Sequence, residues 1–378
     1  MLHVLFSRSF VLICIAFLST SLVFAQEVHQ DVKETVKASV LEIVSEEVRE
    51  VTGTDTTTTV QELRILLEEG DKKGEVVSMT AEVIRLDVGD DIFVNRVVTI
   101  NGDEYVTFSA YERRPTLIVI FGLFVGLLLF ISRWQGVRAL LSLGVSIAAI
   151  LFLLVPALLA GYNPALTTLG IAAVIMAFAL FGTHGFNARA CISYLGTMSA
   201  VLVTCVISYL SVRSMHLTGF SDDASVYLNF ATNGSLDLAS LLLGGIIIGI
   251  LGVLDDVAVT QTSVVAQLKS ANPNFGFIDL YNRALVVGRD HIGSIVNTLA
   301  LAYVGVSLPL ILLYAKAGTD LTAIFNQEVV AAELTRIIVG SIGLIMAVPA
   351  TTAVAAWYYR TRTVDAHDHS SHHHHHHH

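Results

Sequence analysis

The sequence has few charged residues, and this shortage limits the kinds of protein it can be. Asp, Glu, Lys and Arg make up only 14% of the 378 residues, whereas hydrophobic residues make up 54%. Soluble domains carry roughly 25% charged residues. The mean hydropathy of +0.68 agrees with this comparison. The composition therefore predicts an integral membrane protein.

Cysteine and basic residues are also scarce. Cys14, Cys191 and Cys205 form no disulfide framework and no metal-ligand spacing, so we interpret them as small buried hydrophobic residues. The 22 basic residues are outnumbered by 32 acidic ones, which gives a formal net charge of −10. The sequence lacks the basic footprint of a nucleic-acid-binding protein, so nucleic acid is not an expected partner.

Several catalytic motifs are missing as well. The sequence contains no HExxH zinc motif, nucleophile elbow, phosphate-binding loop or dinucleotide fingerprint. We therefore expect a protein that uses no cofactor. A non-enzyme is the favoured interpretation over an enzyme. The seven histidines that end the chain are typical of an expression tag on a short cytoplasmic tail, residues 361–378, and do not indicate a metal site.

The first 25 residues have the pattern of a secretory signal peptide. Arg8 supplies the positive charge, Phe10–Leu18 a short apolar core, and Val23–Ala25 a small-residue cleavage site. The alternative is an uncleaved anchor helix, although the apolar core is short for a membrane span. We expect the mature chain to begin at Gln26.

Residues 26–112 are predicted to form an external β-rich domain of the OB type, a small barrel. Alternating apolar and polar residues separated by turn signals indicate five short strands. The predicted strands are Ala38–Val48, Thr58–Leu67, Val76–Leu86, Asp91–Ile100 and Tyr105–Tyr111. The domain lacks an aromatic platform with basic flanks for stacking bases. Other membrane or exported proteins are therefore its expected partners.

After Pro115 the chain consists of apolar segments, each near the roughly 20 residues that cross a bilayer. The predicted spans are 115–132, 137–160, 165–182, 190–211, 238–257, 292–315 and 333–358. Residues 113–360 are therefore expected to be a seven-span membrane domain. The predicted fold class is a polytopic α-helical membrane protein with an N-terminal β-rich domain.

Basic residues in short loops predict the orientation of these spans, because such loops stay in the cytoplasm. Arg133, Arg189 and Lys269 lie in alternate loops, and Arg360 follows the last span. This pattern places the N-terminal domain outside and the C-terminus inside, in agreement with the signal peptide. The expected location is the cytoplasmic (inner) membrane.

Two polar clusters interrupt the apolar spans and carry the only sharp chemical signal. The first cluster, around Asp255 and Asp256, ends an apolar run, and the second, Gly288–Thr298, opens another. Ionisable residues at such places need a partner, a water path or a function. At helical spacing, each cluster forms a polar stripe. The candidate pathway residues are Asp255, Asp256, Thr260, Arg289, Asp290, His291, Ser294, Asn297 and Thr298.

Three hypotheses remain open for these clusters. In the first, which we prefer, they carry protons or cations for a transporter or export-assisting protein. In the second, Arg289 pairs with an aspartate, the polar residues hold helices together, and the protein is a scaffold or receptor that recruits partners. In the third, Asp255, Asp256, Asp290 and His291 bind a divalent metal in an intramembrane enzyme. The substrate and the oligomeric state are left open.

The segments that carry these clusters resemble the YibE/F family of bacterial membrane proteins. The resemblance is strongest in Leu241–Leu268, Val287–Leu313 and His216–Leu228, and it extends from about Ala38 onward. It implies a multi-pass membrane protein with a β-rich soluble domain, and it implies no activity.

A second, distant likeness is to the export subunits SecD and SecF. It rests on the pattern of Leu254–Gln261 and Ser294–Tyr303. It implies that an intramembrane aspartate takes part in proton movement. The chain departs from that group because its soluble domain precedes all the spans.

Overall fold

The computed structural model describes residues 32–50, 57–82, 84–99, 104–318 and 320–362. The predicted signal peptide, the start at Gln26 and the histidine tail lie outside these residues. The chain divides into two compact units, and the division falls between Val125 and Gly126.

The first unit contains the five predicted strands, which are confirmed. They are β1 Val32–Glu50, β2 Thr57–Leu67, β3 Val76–Glu82, β4 Asp91–Val98 and β5 Glu104–Tyr111. They form one sheet in the order β3-β2-β1-β4-β5, and every neighbouring pair is antiparallel. The edge strands β3 and β5 also approach each other, so the sheet curves into a half-barrel around its apolar face.

One buried glutamine fastens the connection between β3 and β4 to the core of this sheet. Gln61 is fully buried. Its Oε1 accepts a hydrogen bond from the backbone N–H of Leu86 at 2.8 Å, and its Nε2 donates to the carbonyl of Leu86 at 3.2 Å. The fully buried Leu86 is thereby held over the apolar face, which explains why β3 ends at Glu82, before the predicted boundary.

A network of ion pairs joins β1, β4, β5 and the turn after β2. Glu104 on β5 accepts hydrogen bonds from Lys72 and Arg96, both at 2.5 Å, and Arg96 also reaches Glu34 on β1 at 3.3 Å. The hydrogen bonds from Lys72 and then Arg96 hold the pKa of Glu104 below its usual range. This network links the edge strand β5 to β4, to β1 and to the turn between β2 and β3.

We expect Glu104→Gln to loosen β5 at about pH 7, and we expect this effect to disappear as the pH falls through the lowered pKa of Glu104. A carboxyl group with a lowered folded-state pKa stabilises the fold above its ordinary pKa, and this stability is lost as pH falls through the folded value. The expected loss is on the order of 1 kcal/mol, because the groups are partly exposed. Hydrogen exchange of β5 amides in the full chain would measure it, with Glu82→Gln, an exposed carboxylate on β3, as the control. Equal protection of wild type and variant at about pH 7 would contradict it.

The rest of the described chain is helical. The α-helices are α1 Arg114–Ala149, α2 Val155–Leu159, α3 Pro164–His184, α4 Ala188–Ser214, α5 Asp223–Ala231, α6 Leu238–Ala271, α7 Phe277–Val306, α8 Leu308–Ala317, α9 Leu321–Phe325 and α10 Glu328–Tyr359. A π-helix, Ile150–Leu154, joins α1 to α2. The side chains of Asn163, Asn187 and Asp237 cap the N-termini of α3, α4 and α6.

Five helical segments of the described chain are long and apolar enough to cross a membrane. They are the continuous run Arg114–Leu159, α3, α4, α6 and α10, and a sixth is present if α7 and α8, bent by 62°, form one span. The chain is therefore a multi-pass membrane protein. The sequence predicted seven spans, and the difference arises because two of them, 115–132 and 137–160, fall within the single run Arg114–Leu159.

This run reverses direction at Arg133. The backbone there has φ of 48° and ψ of −125°, which is not helical. A β-carbon added at Gly136 would lie 2.9 Å from the carbonyl oxygen of Leu128. In a continuous helix these two residues would be about 12 Å apart along the axis. Arg133 thus lies in a tight turn between two helical arms.

The helical bundle is built on close contacts of small residues, as is usual in membranes. Gly244 on α6 faces Thr168 on α3, where an added β-carbon would lie 2.6 Å from Thr168 Oγ1. Gly196 on α4 lies against Thr351 on α10 in the same way, and added bulk there would overlap the partner helix. The apolar side chains of α3, α4, α6, α7 and α10 fill one continuous core.

Lys269 fixes one end of the bundle. Its side chain is buried, and its Nζ donates hydrogen bonds to the carbonyls of Pro273, Phe275 and Arg360 at 2.8 to 3.0 Å. These three bonds use every donor of the ammonium group. The α6–α7 turn is thereby fixed beside the end of α10.

Candidate functional site

The two adjacent aspartates lie about halfway along α6, a helix of 34 residues. The helix extends well past residue 257, the predicted end of the span. In this extension Gln261 donates hydrogen bonds to Ala284 and Thr352, and Thr262 accepts one from Ser193. Asp255 and Asp256 are therefore in the middle of a helix and not at its end.

Asp255 is directed into the bundle, towards α4. It shares a face of α6 with Thr262, seven residues on, and Thr262 accepts a hydrogen bond from Ser193 of α4 at 3.0 Å. The Oδ1 atom of Asp255 is buried and has no hydrogen-bond partner among the described residues. An unpaired carboxylate oxygen in such surroundings is costly. Binding of a proton, a cation or a water would remove that cost.

Asp256 lies on a different side of α6, because consecutive helical residues differ by about 100°. It is exposed, and Thr260 follows it one turn later on the same stripe. The two aspartates thus have different surroundings, one inside the bundle and one at its surface.

Helix α7 runs antiparallel to α6 and packs closely against it. Gly288 on α7 lies against Gln261, near the end of α6, whereas the hydroxyl of Tyr303 lies against Gly249, nearer its start. Because glycine has no side chain, the two helices approach closely at both points. Residues that follow His291 along α7 therefore lie beside residues that precede Thr260 along α6.

A small cavity lies between α6, α7 and α10. Its polar wall is formed by Thr260, Gln261 and His291. The rest of its wall is apolar and includes Val257, Gly288, Ile292, Ile295, Leu344 and Val348. Thr260 and His291, two of the predicted pathway residues, are thereby brought together, and the cavity lies one helical turn from Asp256.

The predicted polar stripe of α7 lies outside the interhelical contact. The buried residues of α7 are Leu280, Ala284, Gly288 and Leu299. The exposed ones include Arg289, Asp290, His291, Ser294, Asn297 and Thr298. The stripe therefore does not face Asp255 inside the bundle.

One edge of this exposed stripe begins at the cavity, where His291 lies near Thr260. Ser294 and Thr298 follow His291 at i+3 and i+7, so they continue the edge that begins at the cavity. Asp256 precedes Thr260 along the matching edge of α6. From this spacing we expect the five residues to form one polar edge beside the α6–α7 contact. Asn297 lies about 180° and Asp290 about 160° around α7 from Gly288, so these two are directed away from α6.

Arg289 is not paired with an aspartate. No ion pair joins its guanidinium to any carboxylate in the part of the chain that the structure describes. The pairing of Arg289 with Asp255 or Asp256, considered in the second hypothesis, is therefore not found there.

Gln261, which forms part of the cavity wall, was not among the predicted pathway residues. Its side chain is only 2% exposed, and its Nε2 donates to the carbonyl of Ala284 at 3.3 Å and to Thr352 Oγ1 at 3.2 Å. It therefore joins α6 to α7 and α10. An amide at i+5 from Asp256 inside an apolar run was the signal that could have identified it.

A second polar group inside the bundle was also missed. Arg336 on α10 donates a hydrogen bond to Glu333 at 2.9 Å, and its guanidinium lies 5.9 Å from the centre of the Tyr303 ring on α7. Charged residues within the predicted span 333–358 were a visible signal. This group contacts α7 far from the aspartates, at the other end of the helix.

The metal hypothesis gains no support from the described residues. No group of three or more His, Cys, Asp and Glu side chains among them is placed to hold a metal ion. Asp290 is directed away from α6, which separates it from the two aspartates that the hypothesis combined with it.

Comparison with known proteins identifies one family. A family model described as "YibE/F-like protein" matches residues 120–361, well over half of the chain. No curated protein and no solved structure matches the chain. The likeness to SecD and SecF therefore finds no support in these comparisons.

Proposed function

The chain belongs to the YibE/F-like family, and we propose that it moves protons or small cations across the membrane. The observation that carries this proposal is the buried Oδ1 atom of Asp255, which lacks a hydrogen-bond partner in the described chain. A carboxylate in the middle of a membrane helix is costly unless it is paired or used. Reversible binding of a cation or proton at this atom would use it.

The polar edge of the α6–α7 contact is the proposed route to that atom. Ser294 and Thr298 on α7 and Thr260 on α6 supply hydroxyl groups, which can donate and accept hydrogen bonds. His291 lies at the cavity, and its imidazole can accept a proton at one ring nitrogen and release a proton from the other. Asp256 lies on this edge and is adjacent in sequence to Asp255. An ion that moves along the edge would therefore pass from Asp256 to Asp255.

The proposed topology has seven spans. The turn at Arg133 supports a division of the run Arg114–Leu159 into two spans, and α7 with α8 supports another single span. An odd number of spans places the two ends of the chain on opposite sides. Together with the basic residues near Arg133, Lys269 and Arg360, this arrangement puts the β domain outside the cytoplasmic membrane and the C-terminus inside.

The β domain is proposed to be of the OB type and to bind other membrane or exported proteins. The strand order β3-β2-β1-β4-β5 and the approach of the two edge strands are what a five-stranded, partly open barrel requires. Leu41, Val44 and Val48 on β1 are exposed and offer an apolar surface for such a partner.

The test is ion movement into liposomes that contain the purified protein. We expect a pH-sensitive or cation-sensitive dye inside the vesicles to respond faster with the protein than without it. Asp256→Asn should slow this response about tenfold or more, because it removes a charge from the route. The matched control is Asp223→Asn, an exposed carboxylate on the short helix α5. No protein-dependent flux of protons, sodium or potassium would refute the proposal.

A further inference from the structure

An exposed face of α7 has a composition that hydrocarbon does not tolerate. Asp290 and Asn297 lie on the side of α7 opposite its contact with α6, and both are exposed on the bundle. Polar and ionisable side chains in membrane helices are expensive and nearly always face protein or water. Something other than lipid should therefore cover this face.

The residues of this face follow a heptad pattern. Steps of four and three residues alternate along it, which is the spacing at which two helices pack along a shared seam. The seam residues are Val286, Asp290, Gly293, Asn297, Ala300 and Val304. A β-carbon added at Gly293 would meet nothing within 4 Å, so the described chain leaves the space in front of this glycine empty. Small residues beside a polar one are typical of helix pairs in membranes.

We propose that this seam joins α7 to α7 of a second copy of the chain. Two copies with the same orientation in a membrane are related by a two-fold axis along the membrane normal, so identical residues meet at the same depth. Asn297 then faces Asn297 of the other copy, and an amide group can both donate to and accept from its twin. At the same depth, Asp290 of one copy faces Asp290 of the other, and the guanidinium of Arg289 from each copy lies beside the other copy's carboxylate. The two charges that lack partners within the described chain thereby neutralise each other.

The charge pattern is what selects a second copy as the occupant. A single chain has Arg289 and Asp290 on adjacent positions of one helix, where they point about 100° apart and do not form an ion pair. The two-fold axis brings opposite charges together twice, with no residue from another protein. The seam is also separate from the proposed ion route, which follows the other edge of the stripe, so this inference goes beyond the proposed function.

The test is disulfide crosslinking at single positions along α7 in native membranes. With the native cysteines replaced by serine, Gly293→Cys, Asn297→Cys and Ala300→Cys should each form a covalent dimer under mild oxidation. Val296→Cys and Thr298→Cys, on either side of the seam, are the controls and should form little. A bond between identical positions can arise only between two copies. Equal crosslinking at all five positions, or none at the seam, would overturn the proposal, as would a crosslink to a different protein.

A second measurement does not depend on crosslinking. Energy transfer between labelled copies diluted in liposomes should show that Asn297→Leu weakens self-association about 3- to 30-fold, the loss expected for one amide contact between membrane helices. Thr298→Val, which removes a polar group beside the seam, should leave self-association unchanged. If Asn297→Leu associates as well as the wild type, α7 does not form the dimer seam. Ion movement through Asp255 would be unaffected by that outcome, so the two proposals fail separately.

Discussion

Replacing Asp255 by leucine is expected to stop ion movement and, at the same time, to make the folded protein more stable. Leucine has nearly the shape of aspartate but no polar atoms. The substitution removes a buried carboxylate oxygen that has no hydrogen-bond partner in the described bundle. Removal of such a group recovers about 1–3 kcal/mol of folding free energy. It also removes the atom at which a proton or cation would bind.

The two effects are measured on the same preparation. Flux into liposomes should fall to the level of vesicles without protein. The midpoint of thermal unfolding in detergent should rise, and the fluorescence of Trp357 on α10 can report it because α10 packs against α6. A gain in stability together with a loss of function is the signature of a residue kept for function at a structural cost.

Two outcomes would contradict this view of Asp255. If the leucine variant unfolds more easily than the wild type, the carboxylate is a structural group and not an ion-binding one. If flux persists, the route does not include this atom. Asp223→Leu on α5 is the matched control, because its carboxylate is exposed and away from the bundle core.

The second large effect is expected at Gly288, where α7 meets α6 and α10. A β-carbon at this position would overlap Gln261 and Val348. Both neighbours are buried, so neither can move without disturbing the core. We expect Gly288→Ala to push α7 outward, at a cost of about 1–3 kcal/mol for overpacking.

Gly305→Ala on the same helix is the control for this variant. Nothing lies within 4 Å of a β-carbon added there. Alanine forms helix better than glycine by about 1 kcal/mol, so this variant should be neutral or slightly more stable. Because both variants gain the same helix propensity, the difference in their unfolding free energies should be the overpacking cost, about 1–3 kcal/mol. Equal stabilities would show that the close contact at Gly288 contributes little.

Gly288→Ala should also affect ion movement. Gln261 would be displaced from Ala284 and Thr352, and the cavity wall that it forms with Thr260 and His291 would change. We expect the ion flux of Gly288→Ala to be reduced even at a temperature at which this variant stays folded. If Gly288→Ala and Gly305→Ala give the same ion flux, the cavity is not part of the ion route.

Local patterns were enough to locate the strands of the β domain. The alternation of apolar and polar residues in 76–86 and 91–100 depends only on the period of two in a strand. Burial of one face of the sheet requires that alternation, so the sequence contains it directly. The boundary of β3 was less certain, because it depends on the bond between Gln61 and Leu86, which are distant in sequence.

The number of spans could not be read from hydropathy alone. The sequence predicted a loop at the polar residues around Arg133, but Arg114–Leu159 is one helical run, and its division depends on the backbone conformation at Arg133. Hydropathy records the composition of a segment and not the direction in which its chain runs. The contact between Gly136 and Leu128 shows that the chain reverses its direction there.

The sequence by itself determined that this is a membrane protein with a β-rich domain, and it identified Asp255, Asp256 and Gly288–Thr298 as candidate site residues. It could do so because composition and helical or strand periodicity are local properties. Only the tertiary structure decided which polar groups meet. It placed Asp255 inside the bundle, joined Thr260 to His291 through the close contact at Gly288, and directed Asp290 and Asn297 away from α6. The direction in which a helix face points is fixed by its packing partners, and these are remote in sequence.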